Sequence, residues 1–141
     1  MLSTYRGLSD KTSWDYIHVS GGMNNSVELV SNTMSEYQTL INEINQNKKS
    51  GAKLIIHQMT PALNAARWVG NETLYNAIQD SIAGIGPNAV NGADYVDTNI
   101  FTGELNDGAG SMKTIYDNGD HVHPNFAGAK IGAGIYNTYH V

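Results

Sequence analysis

The sequence predicts an α/β fold of three layers, in which a short parallel sheet is flanked by helices. Segments with strand character alternate with segments whose apolar residues recur every three or four positions, which is the period of a helix. Alternation of this kind is typical of parallel sheets, because consecutive parallel strands need a crossover that is usually a helix. At 141 residues the chain fits a single domain, residues 1–141.

The first strand and the first helix are predicted on either side of a glycine-rich turn. Residues 15–20, DYIHVS, contain aromatic and β-branched residues and end at a glycine pair. Helical spacing of apolar residues follows over 26–47. We expect Asn25 to cap this helix, with Glu28 three residues on completing a capping box.

Two further strand and helix pairs complete the predicted sheet. Strands are expected over the apolar run 52–59, AKLIIHQM, and over 93–98, ADYVDT. Helices are expected over 72–83 and 125–139, and Asn125 suits the start of the last one. Because ligands of such folds bind at the carboxyl ends of the strands, the loops that follow the strands are expected to form the site.

Composition excludes several classes of function. The formal net charge of −5 provides no basic face, so a nucleic-acid partner is not expected. There are no cysteines, which excludes disulfides, thiol nucleophiles and thiolate metal sites. No apolar run has the length of a membrane span, and the start MLSTYRGLSD lacks the layout of a signal peptide. We therefore expect a soluble chain without a membrane partner, in a compartment that the sequence leaves open.

Two short segments carry groups suited to catalysis. In GDHVHP, residues 119–124, Asp120 and His123 come close enough in a turn for the carboxylate to hold one imidazole nitrogen. The other nitrogen would then face a pocket as a general base. In GMNN, residues 22–25, Asn24 follows a strand in a glycine-rich turn, where its side-chain amide can face the same edge of the sheet.

Together these segments resemble the motifs of the SGNH hydrolases, also called the GDSL esterase and lipase family. In that family a Gly-x-Asn-Asp block supplies the oxyanion-hole asparagine, and an Asp-x-x-His block supplies the acid and the base. The chain is similar to the later part of that family over roughly residues 14–139. The resemblance implies a flavodoxin-like sheet and an ester hydrolase with a Ser-His-Asp mechanism and no cofactor. His123 would be the base and Asp120 its orienting acid. Asn24 and the backbone of Gly22 would be oxyanion donors.

The nucleophile of that family is not found. It stands in a Gly-Asp-Ser block several elements upstream, and only thirteen residues precede Trp14 here. Ser20, at the end of the first strand, and Ser9, in the segment GLSD, are the remaining candidates. Three readings stay open: an N-terminally truncated hydrolase that lacks the first strands, a short member that uses another serine, or a non-catalytic remnant that serves as a binding or structural domain. A small acyl or carbohydrate ester is the expected substrate, since no long apolar lid indicates a lipid.

The absence of the family's first strands would also bear on assembly. If they are absent, the strand at 15–20 becomes an exposed parallel edge that carries Tyr16, Ile17 and Val19. Exposed apolar edges pair with other strands. The sequence therefore predicts self-association, as a homo-oligomer, through this edge.

Of the remaining histidines, His18 is expected to be structural, His57 to be a satisfied core histidine or to line a pocket, and His140 to be a bystander at the end of the chain. His18 and His57 fall within strands, and His140 lies at the end of the chain. A metal site in the segment 120–123 is not expected, because three ligands within four residues strain one coordination sphere.

Overall fold

The computed structural model describes residues 5–10, 12–22 and 29–140, and it is an α/β structure built on a three-stranded parallel sheet. The strands are β1 (Tyr16–Ser20), β2 (Lys53–His57) and β3 (Tyr95–Asp97). The helices are α1 (Val30–Asn47), α2 (Glu72–Ile82), α3 (Asn99–Thr102) and α4 (Phe126–Asn137). The predicted fold class is confirmed. No helix of the described ranges has the length and apolar character needed to cross a membrane.

One face of the sheet is apolar and packs against α1 and α2. Because side chains alternate along a strand, β1 directs Ile17 and Val19 to this face and β2 directs Leu54 and Ile56 to it. These side chains belong to the main hydrophobic core, and burying each contributes about 1.5–3 kcal/mol. The helices supply the rest of this layer: Met34, Tyr37, Leu40, Ile41, Ile44, Tyr75, Ile78 and Ile82.

The opposite face carries polar side chains, and the C-terminal helix covers it. His18, His57 and Asp97 lie on this face, one from each strand. The ring of Tyr136 in α4 meets the ring of His57 edge-on, with 4.2 Å between centroids. The sheet, with β2 in its centre, is therefore the middle of three layers.

The predicted helix boundaries are correct at the end of the chain but wrong at the start of α1. Asn125 caps α4 as predicted, because its side-chain oxygen accepts hydrogen bonds from the N–H groups of Ala127 and Gly128. In contrast, α1 begins at Val30, and its N-cap Leu29 is extended with no side-chain cap. The capping box predicted at residues 25–28 therefore does not start α1, and these residues lie outside the described ranges. The short helix α3 was not predicted.

The first strand is an edge strand, but its apolar side chains are not exposed. In the described part of the chain, β1 pairs with β2 alone. Ile17 and Val19 are only 5% and 7% exposed because they pack under α1. The expectation that both present an apolar surface is therefore wrong. Self-association through the backbone of this edge stays a prediction.

Candidate active site

The loop before α4 holds Asp120 and His123 as a hydrogen-bonded pair. Oδ1 of Asp120 accepts the backbone N–H groups of Val122 and His123, at 2.9 and 2.8 Å. This turn brings the ring back onto the same carboxylate, where Nδ1 of His123 lies 2.6 Å from Oδ2 of Asp120. The sequence-predicted pair is therefore formed, and the local turn positions it.

The negative charge of Asp120 leaves the ring of His123 suited to accept a proton. The hydrogen bond from the His123 ring, followed by the backbone N–H groups of His123 and Val122, holds the pKa of the Asp120 carboxyl well below its usual range. An ionised Asp120 accepts a hydrogen bond from the Nδ1–H group of His123, so Nε2 of the neutral ring keeps its lone pair. The His123 side chain is 72% exposed, so Nε2 can meet a ligand.

A second aspartate and histidine pair lies in the same loop. Oδ1 of Asp117 accepts the N–H groups of Gly119 and His121, and Nδ1 of His121 lies 2.6 Å from Oδ2 of Asp117. Burial would raise the pKa of the Asp117 carboxyl, but the hydrogen bonds it accepts lower it. His121 has a left-handed backbone with φ of 60°, a conformation uncommon outside glycine. The Asp117 bonds hold this turn, which presents His123 two residues later.

A cavity of about 240 Å³ joins this loop to the end of β1. Its wall contains Ser20 and Gly21 on one side and Val122, His123 and Pro124 on the other, with Met59 and Thr60 between them. The candidate base and one candidate nucleophile therefore border the same space, although no hydrogen bond joins them within the described ranges. Ser9 is not part of this wall; it is exposed, in a bend that precedes β1.

The middle of this wall is held rigidly by α2. Gln79 is buried, and its side chain bonds both the N–H and the carbonyl of Met59, at 2.9 and 3.0 Å. Tyr75 donates from its hydroxyl to the carbonyl of Thr60 at 2.9 Å and accepts the N–H of Ala62 at 3.0 Å. Four backbone polar groups of the loop after β2 are therefore satisfied by two side chains of one helix.

The predicted oxyanion donors are only partly described. Asn24 lies outside the described ranges. Gly22 is buried with φ of 107°, and a Cβ there would lie 3.1 Å from Sδ of Met59 and 3.3 Å from Ile78. This packing explains why a glycine stands there. Gly21, the neighbouring residue, borders the cavity.

A second cavity, of about 310 Å³, continues from the first along α4. The two share Thr60 and Pro124. The wall of the second is otherwise formed by small or apolar residues and one tyrosine: Ile100, Leu105, Gly128, Ala129, Gly132, Ala133 and Tyr136. A ligand bound at His123 can therefore extend an apolar group past Pro124.

Sequence reasoning missed a chain of buried polar residues on the α4 face of the sheet. Asp97 and His57 are fully buried and bonded to each other, and His57 is bonded in turn to His18. The signal was available: each strand contains a histidine or an aspartate, with His18 in the middle of β1 and His57 and Asp97 as the last residues of β2 and β3. His140, expected to be a bystander at the chain end, bonds to His18.

Within the part of the chain that the structure describes, no group of three histidine, aspartate or glutamate side chains is arranged to hold a metal ion. Models of known protein families do not match the sequence, and neither do curated proteins. The likeness to SGNH hydrolases stays a prediction from the two sequence motifs.

Proposed function

We propose that the protein hydrolyses small esters by acyl transfer, in the manner of the SGNH hydrolases that its motifs resemble. The observation that carries the proposal is the common cavity: Ser20, from the end of β1, and His123, held by Asp120, border the same space. Nucleophile, base and orienting acid are the groups that serine hydrolysis needs. Ser20 is preferred to Ser9 because Ser9 does not border this cavity.

The chemistry would proceed in two halves. Nε2 of His123 removes the proton of the Ser20 hydroxyl as Oγ bonds to the ester carbonyl carbon. The proton then passes from His123 to the departing alkoxide, which leaves as the alcohol. In the second half, His123 activates a water that attacks the acyl group and returns the proton to Ser20. Asp120 stays ionised throughout and stabilises the imidazolium.

Negative charge develops on the carbonyl oxygen in both halves. The donors proposed for it are the Asn24 side chain and backbone N–H groups of the turn after β1, which contains Gly21 and Gly22. One preorganised donor of this kind contributes about 3–4 kcal/mol to lowering the barrier. The loss of the Asn24 donor would therefore reduce turnover without removing the nucleophile.

The ester class follows from the dimensions of the site. The cavity that contains His123 has a volume of about 240 Å³, and the apolar one beside it has about 310 Å³. These volumes are at or below the lower end of ordinary ligand pockets. They support a small ester with a short apolar acyl group, rather than a long-chain lipid.

Steady-state hydrolysis of p-nitrophenyl acetate tests the proposal. We expect activity in the wild type, loss to background in Ser20→Ala and His123→Ala, and a drop in kcat of about a hundredfold or more in Asp120→Asn. Ser9→Ala is the matched control and should keep wild-type kcat/KM. Activity that survives both Ser20→Ala and His123→Ala would exclude this site. A folded wild type without activity would favour a non-catalytic binding or structural domain.

A further inference from the structure

Four side chains form one continuous line of hydrogen bonds across the α4 face of the sheet. Oδ2 of Asp97 lies 2.8 Å from Nδ1 of His57, and Nε2 of His57 lies 2.8 Å from Nδ1 of His18. Nε2 of His18 lies 2.9 Å from Nε2 of His140. The line starts at a fully buried carboxylate and ends at an exposed ring that follows α4. It therefore ties the C-terminal segment to all three strands.

The hydrogen bonds fix where the protons lie when the three rings are neutral. Each link needs one hydrogen, and a neutral imidazole has one to give. With Asp97 ionised, His57 donates from Nδ1 and must accept at Nε2. His18 then donates from Nδ1 and accepts at Nε2, and His140 donates from Nε2. Every bond of the line is satisfied by this one arrangement.

The same logic sets how many extra protons the line can hold. One added proton is accommodated on any ring, because the rings beyond it change tautomer and each link keeps one hydrogen. If two neighbouring rings are both protonated, two N–H groups face each other and that link is lost. Two positive charges would also lie within hydrogen-bond distance.

We propose that Asp97, His57, His18 and His140 form a pH-operated latch, which holds residues 136–140 on the sheet at neutral pH and releases them when a second proton enters the line. The proposal does not depend on the ester hydrolase activity. It uses the His140 end, which solvent reaches, as the point of proton entry.

The groups around the two inner rings favour their neutral forms. Burial, then the neighbouring His57 and His140, lower the pKa of His18 to about 4, against the opposing effect of Asp97. Burial also lowers the pKa of His57, and its bond to Asp97 opposes this.

Among the described residues, the other titratable groups whose rings contact this line are tyrosines, and Lys53 lies on the same face at the start of β2, where it is half-exposed and 4.0 Å from Asp94. From the α4 side, Tyr136 and Tyr139 contact both inner rings. From the strands, Tyr16 contacts the ring of His140, and Tyr95 contacts the ring of Tyr139. Burial and the nearby Asp97 raise the pKa of Tyr139 to about 12, so this hydroxyl does not titrate in the range of the latch.

Release of residues 136–140 would affect the candidate site through α4. The helix begins two residues after Pro124 of the cavity wall, and the latch follows its last turn. Tyr136, in that last turn, borders the apolar cavity and contacts His57. Opening the latch would therefore withdraw Tyr136 from the wall of that cavity.

Long-range ¹⁵N–¹H NMR correlations of the histidine rings test the proton arrangement in the unaltered chain. At pH 7.5 we expect His18 and His57 as Nδ1–H tautomers and His140 as the Nε2–H tautomer. A protonated His18 at this pH, or His18 as the Nε2–H tautomer, would overturn the proposal.

Hydrogen exchange of the amides of residues 138–140, corrected for the intrinsic rate at each pH, tests the release. We expect the equilibrium constant for release of this segment to increase about tenfold per pH unit as the pH falls below 6.5, since the released form binds one more proton. In His140→Gln the side-chain amide can present either its oxygen or its NH₂ group to His18, so this increase at low pH should be absent. His121→Gln, which removes a histidine outside the line, should keep it. Protection that is constant down to pH 4, or an unchanged increase at low pH in His140→Gln, would contradict the latch.

Discussion

Two aspartate and histidine pairs of the same chemistry lie in opposite environments, which allows a sharp test of what burial contributes. Asp97 and His57 are 2.8 Å apart with both side chains fully buried. Asp120 and His123 are 2.6 Å apart with side chains 47% and 72% exposed. We predict that Asp97→Asn destabilises the fold strongly and that Asp120→Asn does not measurably change its stability.

The magnitude for Asp97→Asn follows from its contacts. The carboxylate accepts from Nδ1 of His57, from the N–H of Asn99 at 3.0 Å and from the hydroxyl of Tyr139. An amide has one acceptor oxygen, so at least one of these donors would face an NH₂ group. Each such loss costs about 1.5–3 kcal/mol, and we expect a total of about 3 kcal/mol. For a chain of this length, that lowers Tm by about 10 °C.

Urea unfolding followed by circular dichroism measures both variants against the wild type. The midpoint for Asp97→Asn should fall with the slope m unchanged, which assigns the effect to stability. The exposed pair is the internal control, because solvent screens its ion pair. Equal losses in the two variants, or a loss below about 1 kcal/mol in Asp97→Asn, would refute the reasoning from burial.

Three further outcomes are expected. Since the pKa of His18 is lowered to about 4 from 6.5, the unfolded chain binds more protons between these values and stability falls as the pH falls. In urea unfolding, the free energy of unfolding at pH 4.5 should be about 1–2 kcal/mol lower than at pH 7, after allowance for the partial exposure of His18. A free energy that does not change over this pH range would contradict the prediction. Gly22→Ala should lower the free energy of unfolding by about 2–3 kcal/mol. Gly51→Ala, at a position with positive φ and open space around it, should lower it by about 1 kcal/mol; equal losses would exclude a contribution from packing against Met59 and Ile78. Ala133→Leu should lower kcat/KM for a hexanoate ester about tenfold and spare the acetate ester, whereas Ala127→Leu, outside the cavity, should change neither.

The fold class could be predicted because its signals are local. Apolar periodicity in α1 and α2 and the β-branched run in β2 each describe one element, and their alternation indicates parallel pairing. The start of α1 could not be predicted, because a consensus for capping at residues 25–28 does not show where the chain turns into the helix. The burial of Ile17 and Val19 depends on how α1 packs, which is a tertiary fact.

The Asp120 and His123 pair could be predicted from the sequence, whereas the line from Asp97 to His140 could not. The Asp120 and His123 pair lies within one turn, so spacing alone predicted it. The line from Asp97 to His140 joins residues up to 122 positions apart, and its members became neighbours only once the strand order and the position of α4 were known. Ser20 was one of two candidate serines in the sequence, and the shared cavity distinguishes it from Ser9.

The most direct test of the proposed site is labelling of the whole chain with a fluorophosphonate, read by intact mass and then by peptide mapping. The proposal predicts a single adduct on Ser20 that is absent from His123→Ala. An adduct on another serine, or a folded wild type that takes up no label, would contradict a nucleophile at the end of β1.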